Sequence, residues 1–166
     1  MRPLLCLALT ACGADFDYTT AHGIMVIDET GSIHQAQVES ATEAMLGVIG
    51  GTGARLQGVR LRIEANPLPL DGQSGSCRYP AVDQDGSPSG RCAGGLSWVD
   101  QEYVRVWAMS TCFANSAFVH ELCHLFQWWR DDTEDHDHTN EAWWLGEGSV
   151  DFRGSMAAFN QECPNE

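Results

Sequence analysis

His120-Glu121-Leu122-Cys123-His124 sets two imidazoles and one carboxylate at a spacing that an α-helix can use. Residues i and i+4 share a helix face, so His120 and His124 can offer two nitrogens to one ion. Glu121 stands about 100° around the helix from His120, beside such an ion instead of on it. Zinc held by three protein ligands keeps a further position for water and lowers that water's pKa to about 7. Glu121 can take the proton as the water attacks a carbonyl and later deliver it to the leaving amine. The bland alternative, two core histidines on a buried helix, leaves three polar groups in need of partners. These spacings predict a zinc-dependent hydrolase acting on a peptide or protein substrate, with Zn2+ as cofactor and Glu121 as general base. The same site kept for another substrate, or for zinc binding without turnover, is the competing reading.

A third ligand must come from elsewhere in the chain. Gln127 and Arg130 occupy the places where metzincins carry a glycine and a third histidine. Further on, Trp144-Leu145-Gly146-Glu147-Gly148-Ser149-Val150-Asp151-Phe152 resembles the Trp-Leu-x-Glu-Gly pattern of gluzincin metallopeptidases. That resemblance, over roughly residues 115–153, implies that Glu147 on a second helix is the third zinc ligand. It also implies that Asp151, one turn later, supports a zinc-bound histidine. A competing likeness runs through Asp135-His136-Asp137-His138 followed by Trp143. It resembles SprT-like metalloproteases and would make His138 the third ligand, with His136 and Glu141 as further candidates. The carboxylates from Asp131 to Asp137 could attract calcium, but no EF-hand spacing is present and a solvated loop is the simpler reading. Trp128, Trp129, Trp143 and Trp144 read as packing between the two helices more readily than as a cleft lining.

The elements that must hold these residues follow from periodicity. Ile24 to Asp28 is a short apolar run between glycines, a buried strand. Ile33 to Ile49 repeats apolar residues at helical spacing and stops at Gly50-Gly51. Val59 to Ile63 alternates like a half-exposed strand, and Trp98-Val99 and Tyr103 to Trp107 offer more strands. Tyr103 to Trp107 is the expected sheet edge for an extended peptide. Residues 66–94 read as a long loop rich in Pro, Gly, Ser and Asp. Ser116 to Trp129 is the zinc helix, and Asn140 to Phe159 a second, glutamate-bearing helix weakened by Gly146, Gly148 and Gly154. The expected fold is α+β and zincin-like, a small mixed sheet packed on those two helices.

Length and charge bound the rest. The 166 residues suit one domain, read as 21–166 after a signal peptide at 1–11 and a tether at 12–20. Net charge is -14, from 23 acidic residues against 9 arginines and no lysine, which argues against a nucleic-acid partner. Leu9-Thr10-Ala11-Cys12 after a short apolar stretch resembles the lipobox of bacterial lipoproteins. That implies export to the cell envelope with a lipid on Cys12 as the membrane contact. In an oxidising compartment, Cys77 and Cys92, flanking a turn-rich stretch, are expected to form a disulfide, while Cys123 within the zinc helix stays a thiol.

Overall fold

The computed structural model describes residues 16–64, 80–82, 88–92, 95–107, 117–133, 135 and 137–162. Cys12 with the signal peptide, Cys77 of the expected disulfide, and His136 lie outside the described residues.

Strand β1 (Tyr18–Thr19) pairs antiparallel with β2 (Met25–Asp28), so the end of the expected tether already belongs to the sheet. Helix α1 (Gln35–Ile49) follows. Its start is closed by the Gln37 side chain accepting from the His34 N–H at 2.8 Å. Its end is closed by Gly50 at φ 67, whose N–H donates to the Leu46 carbonyl. Only a residue without Cβ takes that left-handed turn at no steric cost. After a short 3-10 turn (Gly53–Leu56) comes β3 (Arg60–Glu64). A small antiparallel hairpin, β4 (Pro80–Val82) with β5 (Pro88–Cys92), occupies part of the stretch expected to be loop. Strand β6 (Gly95–Trp98) and a 3-10 turn (Val99–Gln101) lead into β7 (Tyr103–Trp107).

The sheet runs β1-β2-β3-β7-β6. β2, β3 and β7 are parallel, and β1 and β6 flank them antiparallel. The architecture is therefore α+β with an open mixed sheet of five strands. The parallel register aligns Val26, Leu61 and Val104 in one row and places Ile63 beside Val106. All five side chains are at most 1% exposed and face the helices. Alternation puts Arg60, Arg62 and Arg105 on the other face, where Glu29 and Glu64 pair with Arg62 and Glu64 with Arg105. The sheet is thus apolar on the helix side and polar on the other, as a one-sided α+β layer requires.

Two expectations are corrected here. Tyr103–Trp107 is not an edge strand: β7 lies between β3 and β6, and β6 is the edge among the described residues. The second helix is not continuous from Asn140 to Phe159. It is split into α3 (Glu141–Trp144) and α4 (Val150–Glu162), with Glu147 in the turn between them. Gly146 takes φ 78 in that turn, a conformation that ends a helix. The i, i+4 relation assumed between Glu147 and Asp151 is lost with the break. Helix α2 (Phe118–Asp131) is where its apolar spacing predicts, and it packs on β6, β7, α1 and α4.

Core position sets the cost of truncation. Leu61→Ala, in the middle of the parallel strands and 1% exposed, is expected to lower the unfolding free energy by about 2–5 kcal/mol. Leu145→Ala, 38% exposed, is expected to stay within about 0.5 kcal/mol of the parent. Denaturant melts of the two variants check this.

Candidate metal centre

The buried face of α2 carries Phe118, Val119, Leu122, Leu125 and Phe126 into the core and so fixes the helix against the sheet. Its polar stripe is then fixed too. His124 is buried at 7% exposure, and His120 is half-buried one turn before it.

The loop after α2 brings a third imidazole. Helix α2 ends at Asp132, in the left-handed conformation with φ 52. The next turn is tied by Asp135, whose carboxylate accepts from the Thr139 N–H and hydroxyl, both at 3.0 Å, and from the Asn140 N–H at 2.7 Å. His138 sits inside that turn at φ 53, and its N–H donates to the Asp135 carbonyl at 3.2 Å. A non-glycine residue in this region carries a backbone cost that the surrounding bonds must offset. The result is that His138 Nε2 lies 3.1 Å from His124 Nε2.

His120, His124 and His138 present ligand atoms that all lie within 4.8 Å of one another. Two nitrogens on a tetrahedral zinc at 2.0–2.1 Å are about 3.3 Å apart, so the spacing of His124 and His138 fits an ion shared between them. His120 Nδ1 is 3.2 Å from Asp151 Oδ1 on the first turn of α4, which leaves Nε2 as the atom it can offer. Burial disfavours a charged His120. The hydrogen bond that His120 donates to Asp151, with the negative charges of Glu121 and Asp151, outweighs it and raises the His120 pKa. Glu147 is exposed in the α3–α4 turn and does not belong to the group. The gluzincin-like motif therefore contributes Asp151 to the site's surroundings but not its glutamate. Glu141 is exposed at the start of α3.

Glu121 is 5% exposed, beside His120 and under β6. Burial pushes its carboxyl pKa up to about 7, against the lowering effects of His120 and of a hydrogen bond from Ser97. A carboxyl poised there can both accept and return a proton near neutrality. β6 approaches α2 closely at this point. A Cβ on Gly95 would lie 2.7 Å from Glu121 Cγ and 2.8 Å from Ala117 Cβ. Gly95 and Ser97 are thus parts of the site that sequence reasoning missed. Alternation puts Gly95 and Ser97 on one face of β6, but nothing in the sequence shows which helix that face meets.

Comparison with protein-family models, with characterised proteins and with solved structures finds no match to this chain. The site therefore rests on its own geometry.

Cys123, three residues after His120 on α2, is a buried free thiol with Sγ 3.9 Å from Met45 Sδ. Burial and the nearby carboxylates of Asp151 and Glu121 hold its pKa well above the usual thiol value.

The Gly95 contact yields a prediction. Gly95→Ala is expected to press on both the Glu121 side chain and Ala117 at the start of α2, and so to strain the contact between β6 and the helix. The unfolding free energy should fall by about 1–3 kcal/mol, read by denaturant melts of the variant and the parent. Parent-level stability in Gly95→Ala would show that β6 does not approach Glu121 and Ala117 this closely.

Proposed function

We propose that the protein is a zinc-dependent peptidase of zincin-like fold, with zinc held by His120, His124 and His138. The observation that carries this reading is the convergence of three imidazoles, two from α2 and one from the loop after it, beside a buried carboxyl of α2. Three nitrogen donors with no thiolate suit zinc among the biological cations, and hard ions that want oxygen suit the site poorly. His138 as third ligand is what the SprT-like resemblance implies.

Bound there, zinc supplies a Lewis acid that acidifies a water and polarises a carbonyl. The chain's own residues supply the rest. Glu121 takes a proton as the water attacks the scissile carbonyl and passes it to the leaving amine. Asp151 fixes the His120 ring through Nδ1, which sets the tautomer and directs Nε2 to the ion. Ser97 holds the Glu121 carboxyl from the sheet side. The outer edge of β6 is the strand closest to Glu121 and offers backbone groups to an extended peptide.

Two sets of variants test this. Glu121→Gln is expected to bind zinc as the parent does and to lose hydrolysis of a generic protein substrate by more than about 100-fold. His138→Ala is expected to weaken zinc severely and Glu147→Ala to leave it unchanged, in a competitive titration against a chromogenic chelator. Asp151→Ala should fall between, with a loss of about 10–100-fold. Zinc that persists in His138→Ala but is lost in Glu147→Ala would restore the glutamate as third ligand. Stoichiometric zinc with no turnover of any peptide by the parent would point to a zinc-binding protein without catalysis.

A further inference from the structure

The polar stripe of α2 does not end at His124. His120, His124, Gln127 and Asp131 follow at steps of four, three and four, which keeps all four on one helix face. The first two belong to the imidazole cluster. The last two each accept a hydrogen bond from one indole of the tandem Trp143-Trp144 pair on α3. Trp144 Nε1 donates to Gln127 Oε1 at 3.1 Å, and Trp143 Nε1 donates to Asp131 Oδ2 at 2.7 Å. Arg130 strengthens the outer bond: it pairs with Asp131 at 3.0 Å and lies 4.3 Å over the Trp143 ring.

The consequence is felt at the imidazoles. The Trp144 ring centroid lies 5.0 Å from that of His120, 4.4 Å from His124 and 4.5 Å from His138. One indole thus touches all three rings of the cluster. Gln127 is fully buried, and its amide nitrogen has no partner among the described residues. A buried amide left half-satisfied is costly. Its carbonyl oxygen bonded to Trp144 is then a placement that packing alone does not explain.

We infer that Gln127 and Asp131 are positioning residues that hook α3 onto α2, so that Trp144 clamps the three imidazoles in their ligating orientation. The clamp matters most for His138. The other two histidines ride on a helix anchored in the core, whereas His138 is carried by a turn in the left-handed conformation. The indole across its ring restricts the rotamers that would otherwise withdraw its nitrogen. This rests on the proposed metal site.

The test is Co2+ titration of the apoprotein, followed by visible absorption and by the indole N–H resonances in a 15N-labelled sample. In the parent, Co2+ is expected to bind at one equivalent with a tetrahedral-type spectrum and to shift or broaden the Trp144 N–H signal. Gln127→Met keeps the volume but removes the acceptor, and Trp144→Phe keeps a ring but removes the donor. Each is expected to bind Co2+ at least tenfold more weakly, with an altered band shape. Asp131→Ala, which removes the acceptor of the Trp143 N–H, should lose a few-fold, and Asp131→Asn, which retains an acceptor, should restore parent affinity. If Gln127→Met does not fold, Trp144→Phe and the Asp131 pair decide. Folded variants with the parent's affinity and spectrum would overturn the clamp and leave the metal site standing. No Co2+ binding by the parent itself would instead overturn the metal reading.

Discussion

The site depends on one close approach: His124 Nε2 and His138 Nε2 at 3.1 Å, one on a helix and the other on a loop. Two protonated imidazoles would repel at that distance, and two neutral ones can share one proton or, better, one cation. Everything else in this part of the molecule follows from holding that pair together. The apolar face of α2 fixes His124. Asp135 ties the turn of His138 with three hydrogen bonds from Thr139 and Asn140. Trp144 lies across both rings and across His120 as well. An ion bound there would repay the desolvation of three nitrogens that burial has made costly.

The sheet serves the same end from below. Three parallel strands turn a dry valine, leucine and isoleucine face into the core, where β7 meets α2, while their charges stay on the far side as arginine–glutamate pairs. The antiparallel edge β6 then comes within van der Waals distance of Glu121 because Gly95 has no side chain. Burial raises the Glu121 carboxyl pKa, against the lowering effects of His120 and of a hydrogen bond from Ser97. One helix therefore carries two of the three imidazoles and the buried carboxyl, and each side is met by a different neighbour: α4 through Asp151 at His120, and β6 through Ser97 at Glu121.

Local pattern made much of this legible. The turn at Gly50, the strands around Val26, Leu61 and Val104, and the helix around His120 and His124 follow from periodicity and from residues with narrow conformational ranges. Asp151 beside His120 also agrees with its placement by motif likeness. What could not be read is set by chain geometry that periodicity does not encode. A glycine with positive φ at residue 146 broke the second helix and carried Glu147 into solvent. His138 looked like one more histidine in an acidic loop, because the turn that aims it is built from hydrogen bonds of Asp135 to residues four and five places on. Sheet order put β7 inside and β6 at the edge, a choice that alternation along either strand leaves open.

The central claim is that three imidazoles, and no carboxylate, hold the ion. A crystal structure of the zinc-loaded protein, with the ion located by anomalous scattering at the zinc edge, tests it most directly. One strong peak is expected about 2.0–2.1 Å from a nitrogen of each of His120, His124 and His138, with Glu121 close by but not ligating. A peak bound by His120, His124 and the Glu147 carboxylate, with His138 turned away, would contradict it.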